Sequence, residues 1–139
     1  MVNAMPHETR LRVRYAETDQ MGVVHHANYL IWMELARVDW CESRGFRYRD
    51  MERDEGVFLA VVETGCRHLK PAYFDDHICI RTKVEDANSR LARFSYEIHR
   101  CPGGDLLASG FTKHIYVSRE MRAVRLPEKF RPLFGIRKI

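Results

Sequence analysis

Nowhere in this chain of 139 residues do apolar side chains run for the roughly 18 positions that a membrane-spanning helix needs. The opening stretch, MVNAMPHETRLR, likewise lacks the apolar core of a secretory signal, so the expected location is the cytoplasm. Cysteine is scarce. The four present (Cys41, Cys66, Cys79 and Cys101) form no C-x-x-C pair and have no histidine at zinc spacing, which predicts reduced, mostly buried thiols and no metal site. Internal repeats, low-complexity tracts and Pro/Gly/Ser linkers are also missing, so residues 1–139 read as a single domain. No run of Lys and Arg is interleaved with aromatics, and nucleic acid is not an expected partner.

What is present is the composition of a globular protein, 45% hydrophobic and 30% charged. At this length a chain can bury a core without help from metals or disulfides. The net charge of +4 mildly favours anionic partners such as phosphorylated cofactors, although the basic residues are spread along the chain.

Residues 11–15 alternate apolar and basic, as a half-buried strand does, and a polar turn containing Gly22 follows. From Asn28 to about Arg44 there is neither Pro nor Gly, with Asn28 as a possible cap and Gly45 as the stop. This predicts one long helix. Its apolar residues cover most of the circumference and leave only a narrow stripe of Glu34, Arg37 and Arg44, so other structure should wrap it. The remainder reads as strands: 57–70 stopped by Pro71, 77–85 with Ile78, Ile80, Thr82 and Val84 on one face, 92–99, and 106–118. A short helical turn is possible between Pro127 and Pro132. One strand, a buried helix and about four long antiparallel strands imply an α+β domain with one sheet curled around one helix. Such a sheet has two open edges, which a second copy can cover, so a homodimer or homotetramer is expected.

The densest polar cluster runs from Tyr15 to Tyr29, with Asp19, Gly22, His25 and His26 inside it. The pattern Y-x-x-T-D-x-x-G-V-V-x-H-x-x-Y, followed by Glu34 and Arg37, resembles the signature of the 4-hydroxybenzoyl-CoA thioesterase family, and within it the YbgC-like acyl-CoA thioesterases. The resemblance covers about residues 10–118. It implies a hotdog fold, in which a curled antiparallel sheet wraps one central helix, and hydrolysis of an acyl-CoA thioester without metal or cofactor.

Thioester hydrolysis needs a group that activates water or attacks directly, and donors for the oxyanion. The resemblance places the catalytic carboxylate at Asp19; without it, an Asx turn is the simpler reading of an Asp near a Gly. It places an oxyanion donor at His26, where free backbone N–H groups open the helix. Tyr15, Gly22 and His25 are candidate substrate contacts: Tyr15 bonds the site or packs, Gly22 lets the loop approach substrate, and His25 is as simply a solvated side chain. Glu34 and Arg37 are most simply an ion pair. Arg90, with Lys83, Arg93 and Lys113, is a candidate for the CoA phosphates, though each equally suits an outward-facing strand position. Two other functions fit the same residues: hydrolysis of acyl carrier protein thioesters, and non-catalytic acyl-CoA binding.

Overall fold

The computed structural model describes residues 6–136. Five strands, β1 (His7–Arg12), β2 (Phe58–His68), β3 (His77–Ala87), β4 (Leu91–Arg100) and β5 (Leu106–Val117), form one antiparallel sheet in the order β1-β3-β4-β5-β2. Alternation places Ile78, Ile80, Thr82 and Val84 of β3 and Ala92, Phe94, Tyr96 and Ile98 of β4 on the inner face, all buried. Helix α1 (Ala27–Ser43) lies in this concavity and buries Tyr29, Trp32, Met33, Ala36, Trp40 and Cys41. A Cβ at Gly110 of β5 would collide with the Met33 methyl and the Gly65 carbonyl, so glycine there lets helix and sheet approach. The arrangement is the hotdog fold that the motif implied.

Several expectations need correction. The first strand begins at His7 rather than Leu11, and Tyr15 belongs to a short 3₁₀ turn (Tyr15–Glu17). Edge strand β1 buries little beyond Thr9, so alternation in its apolar residues is weak. Helix α1 starts at Ala27, with His26 at the N-cap position; Asn28 sits in the first turn and donates its amide to the Glu17 carbonyl at 2.9 Å. Nor is α1 wrapped all round. Leu30, Ile31 and Leu35 form an exposed apolar stripe, while Arg37 points inward and is 3% exposed. Its pairing with Glu34 survives only as a loose 3.9 Å contact.

Cys79 and Cys101 are joined in a disulfide, contrary to the reading of four free thiols. Their separation of 22 in sequence hides a pairing that the β3–β4 register creates, since Cys79 stands opposite His99 and Cys101 lies just beyond the end of β4. Cys41 and Cys66 are free. Among the described residues, no helix is long and apolar enough to cross a membrane.

The inner face carries one buried polar group with a consequence for stability. Burial, and then the Arg37 guanidinium 3.3 Å away, push the His114 imidazole down to about 3. Free imidazole titrates near 6.5, so below that pH the unfolded chain binds a proton that the folded chain refuses. The sign is therefore a loss of stability as pH falls from about 6.5 toward 3. Asp39 adds to the acid side of the loss. Burial alone would raise its carboxyl, but donation from Thr9 at 2.6 Å and the His7 ring at 2.8 Å hold it below its usual range. The melting temperature is expected to fall between pH 6.5 and 4, and His114→Gln to flatten the upper part of that slope. A pH-independent melting temperature in the wild type contradicts this.

Candidate active site

The loop between β1 and α1 is built around a buried glutamate. Glu17, 4% exposed, accepts the Arg14 backbone N–H at 2.7 Å and the Trp32 indole N–H at 2.8 Å. Burial alone would raise its carboxyl, yet these donors and the Arg14 guanidinium hold it below the ordinary value. The Glu17 carbonyl in turn accepts the His25 N–H at 2.8 Å and the Asn28 amide. One residue thus fixes both ends of the segment that carries the motif.

Within that segment the chain turns back on itself. Asp19 N–H donates to the Val23 carbonyl at 2.8 Å, and Gly22 N–H to the Asp19 carbonyl at 2.9 Å. Gly22 stands at φ +82° with open space where a Cβ would be, so the turn conformation, not crowding, demands glycine. The Asp19 side chain accepts the Met21 N–H on Oδ1 at 2.8 Å, which is the Asx contact its simpler reading predicted. Among the described residues its second oxygen has no partner closer to hand, and Asp19 lines a cleft of about 320 Å³.

The cleft has two walls. One is the loop and the start of α1, with Asp19, Val24, His26 and Tyr29; the other is the chain leaving β2, from His68 to Pro71. The second wall is tied to the first by the Val24 N–H, which donates to the Ala72 carbonyl at 2.8 Å. The His68 ring meets the buried Tyr29 ring edge-on at 4.8 Å. The Lys70 ammonium lies at the same wall, 3.2 Å from Asp105. Motif reading missed this wall because it lies more than forty positions from Asp19, marked only by the end of a β-rich run before Pro71.

The helix start offers the expected donor. Ala27 N–H is engaged by the His25 ring, whose Nδ1 accepts it at 3.1 Å, and Asn28 N–H donates to the His25 carbonyl at 3.0 Å. His26 N–H has no partner among the described residues and stands at the positive end of a 17-residue helix. The two imidazoles stack at 4.3 Å. His25 therefore holds the helix end, while His26 lines the cleft.

Four candidates do not line the cleft: Gly22 and His25 shape its loop and helix start from outside the lining, and Tyr15 and Arg90 lie away from it. Tyr15 is 77% exposed and packs on Phe74 at 5.4 Å, outside the cleft lining. Arg90 sits in the β3–β4 turn; its neighbour Leu91 pairs with Ile115, which pairs with Ala60, eight positions along β2 from His68. At about 3.3 Å per residue this places Arg90 roughly 26 Å from the cleft within one chain. A larger depression of about 800 Å³ on the outer sheet face takes in Lys83 and Arg93 but none of the motif residues.

Comparison with known proteins agrees with the fold. The family described as the thioesterase-like superfamily matches residues 13–134. YneP of Bacillus subtilis, named as a candidate acyl-CoA thioesterase, is 41% identical over 79% of this chain and 78% of its own. A hypothetical protein of Thermus thermophilus superposes with a TM-score of 0.87 at 44% identity, over 92% of this chain and 96% of its own. A DHNA-CoA thioesterase of Staphylococcus aureus superposes at 0.85 with 32% identity, over 91% of this chain and 84% of its own.

Proposed function

Because the chain belongs to the thioesterase-like superfamily, we propose that it hydrolyses acyl-CoA thioesters to the free acid and CoA thiol at the cleft holding Asp19. The observation that carries this reading is the pairing of the Asp19 carboxylate with the unengaged His26 N–H in one cleft. The carboxylate serves as general base toward water or as nucleophile through a mixed anhydride, and the amide at the helix start receives the oxyanion. The names of YneP and of the Staphylococcus enzyme support CoA as the carrier. Water is the only second substrate the reaction consumes.

The same fold supports a homo-oligomeric assembly. Edge strand β2 exposes Val61 and Val62, each just over half accessible, and α1 exposes Leu30, Ile31 and Leu35. Pairing of such an edge with a second copy satisfies its backbone and covers apolar surface, so the working unit is a homodimer or a dimer of dimers. It also brings a partner close to the wall that ends β2, and offers the route by which a distant group such as Arg90 can meet a ligand held by another chain. Light scattering is expected to give a dimer or tetramer; a fully active monomer at assay dilution contradicts this.

The oxyanion role has its own test. His26 sits at φ −57°, which proline adopts, so His26→Pro removes the N–H at a compatible backbone angle. We expect His26→Pro to lose roughly 10²-fold or more in kcat, as for an oxyanion donor, with His26→Ala retaining most activity because its N–H remains. Equal activity of the two variants, both folded by circular dichroism, removes the amide from the mechanism.

A further inference from the structure

We infer that His68 is a second catalytic residue, whose imidazole is the base that activates water against an acyl group carried on Asp19. This role rests on the proposed thioester hydrolysis and makes Asp19 its nucleophile.

The cleft holds its reactive groups on two walls. Asp19 and the unengaged His26 N–H belong to the loop and the helix start, while His68, the last residue of β2, belongs to the wall across from them. Attack by the carboxylate forms a bond from an Asp19 oxygen to the acyl carbon; the C–S bond breaks, and the departing thiolate takes a proton from solvent. Asp19 is then tied up in a mixed anhydride. It cannot also take the proton of the water that must follow, so a second group has to. With Asp19 on one wall, the face of the acyl carbon left open to water is the one turned toward the other.

Few side chains lining the cleft can accept that proton. Burial pushes the Tyr29 hydroxyl up, so it stays protonated, and the Lys70 ammonium, 3.2 Å from Asp105, is a donor without a lone pair. The His26 ring stacks on His25 at 4.3 Å and shares the wall of Asp19. His68 faces them. The rings of His7, His25, His99 and His114 are hydrogen-bonded to protein groups, whereas that of His68 has no such partner among the described residues and is open to solvent. Imidazole is the side chain suited to accept and release a proton near neutral pH.

A base must also be held in place. The Leu69 and Lys70 N–H groups both donate to the Leu107 carbonyl, at 2.8 and 3.1 Å, and the Arg100 guanidinium donates to the Pro71 carbonyl at 2.8 Å. Arg100 is braced in turn by Asp76 at 3.2 Å. The His68 ring rests edge-on against Tyr29, a core side chain, at 4.8 Å. Pinned backbone and buried ring together fix where the imidazole stands.

In the second step the water oxygen bonds to the acyl carbon, a water proton passes to a ring nitrogen of His68, and the bond from that carbon to Asp19 breaks. The free acid leaves and the carboxylate is restored. His68 then returns its proton to solvent, replacing the one the thiolate took.

The test follows thiol and free acid separately through the first turnovers of acyl-CoA by wild type, His68→Gln and His68→Phe. Phenylalanine keeps the ring contact with Tyr29 and glutamine keeps a polar group, so both should melt close to wild type. Loss of the base alone predicts a burst of about one thiol per site with no matching burst of acid, then a kcat roughly 10²-fold below wild type. Thiol and acid slowed together from the first turnover would return the base to Asp19 and overturn the inference. So would near wild-type kcat in either folded variant, or a thiol burst in His26→Ala in place of the His68 variants. Wild type that releases no thiol from any acyl-CoA removes instead the thioesterase reading beneath it.

Discussion

Asn in place of Asp19 is expected to leave a folded protein that still binds acyl-CoA and turns it over roughly 10²-fold or more slowly. The change is nearly isosteric. An amide oxygen can still accept the Met21 N–H, which the carboxylate accepts at 2.8 Å, so the turn keeps its internal bond. What disappears is the negative charge that abstracts a proton from water or attacks the carbonyl. The alternative, an Asp that only orders its loop, predicts the opposite pairing: a lower melting temperature and an activity that follows the folded fraction. Melting and single-turnover hydrolysis on one preparation separate the two. A well-folded Asp19→Asn protein with near wild-type kcat removes the catalytic assignment.

Glu17→Ala should have the largest effect on stability. It leaves the buried Trp32 indole N–H without its acceptor, at about 1–3 kcal/mol, and the partly buried Arg14 N–H as well, at less because Arg14 is exposed to water. A total of roughly 2–4 kcal/mol lowers the melting temperature by about 10 °C. Because Glu17 lies under the segment that carries Asp19 and His26, kcat should fall as well. Glu17→Gln, which keeps an acceptor oxygen, should recover most of the stability. Loss of activity at full stability in Glu17→Ala would instead assign Glu17 a direct part in the reaction.

The long helix was legible because residues 28–44 hold no breaker, and β3 and β4 were legible because their inward residues alternate cleanly. The Asp19 loop was legible because its chemistry is local: turn, glycine and helix start follow one another within eleven residues, 17–27. Non-local facts were not. That Arg37 turns inward to His114 depends on which side of α1 the sheet covers, and periodicity could not tell a fully wrapped helix from one with an uncovered stripe of Leu30, Ile31 and Leu35. His68 joins the cleft only through sheet order. The Cys79–Cys101 pairing likewise depends on strand register, which spacing along the chain does not record. Arg90 was chosen for charge alone, and charge does not say at which end of a sheet a turn will lie.

The most direct measurement of the central claim is thiol release from acyl-CoA by the purified protein, followed with short-chain, long-chain and aromatic acyl groups alongside Asp19→Asn. Hydrolysis at a cleft built on Asp19 and the His26 amide predicts catalytic turnover of at least one class, with acid and thiol formed in equal amounts, and its near loss in the variant. No turnover of any class by folded wild-type protein, or the same turnover in Asp19→Asn, would contradict it.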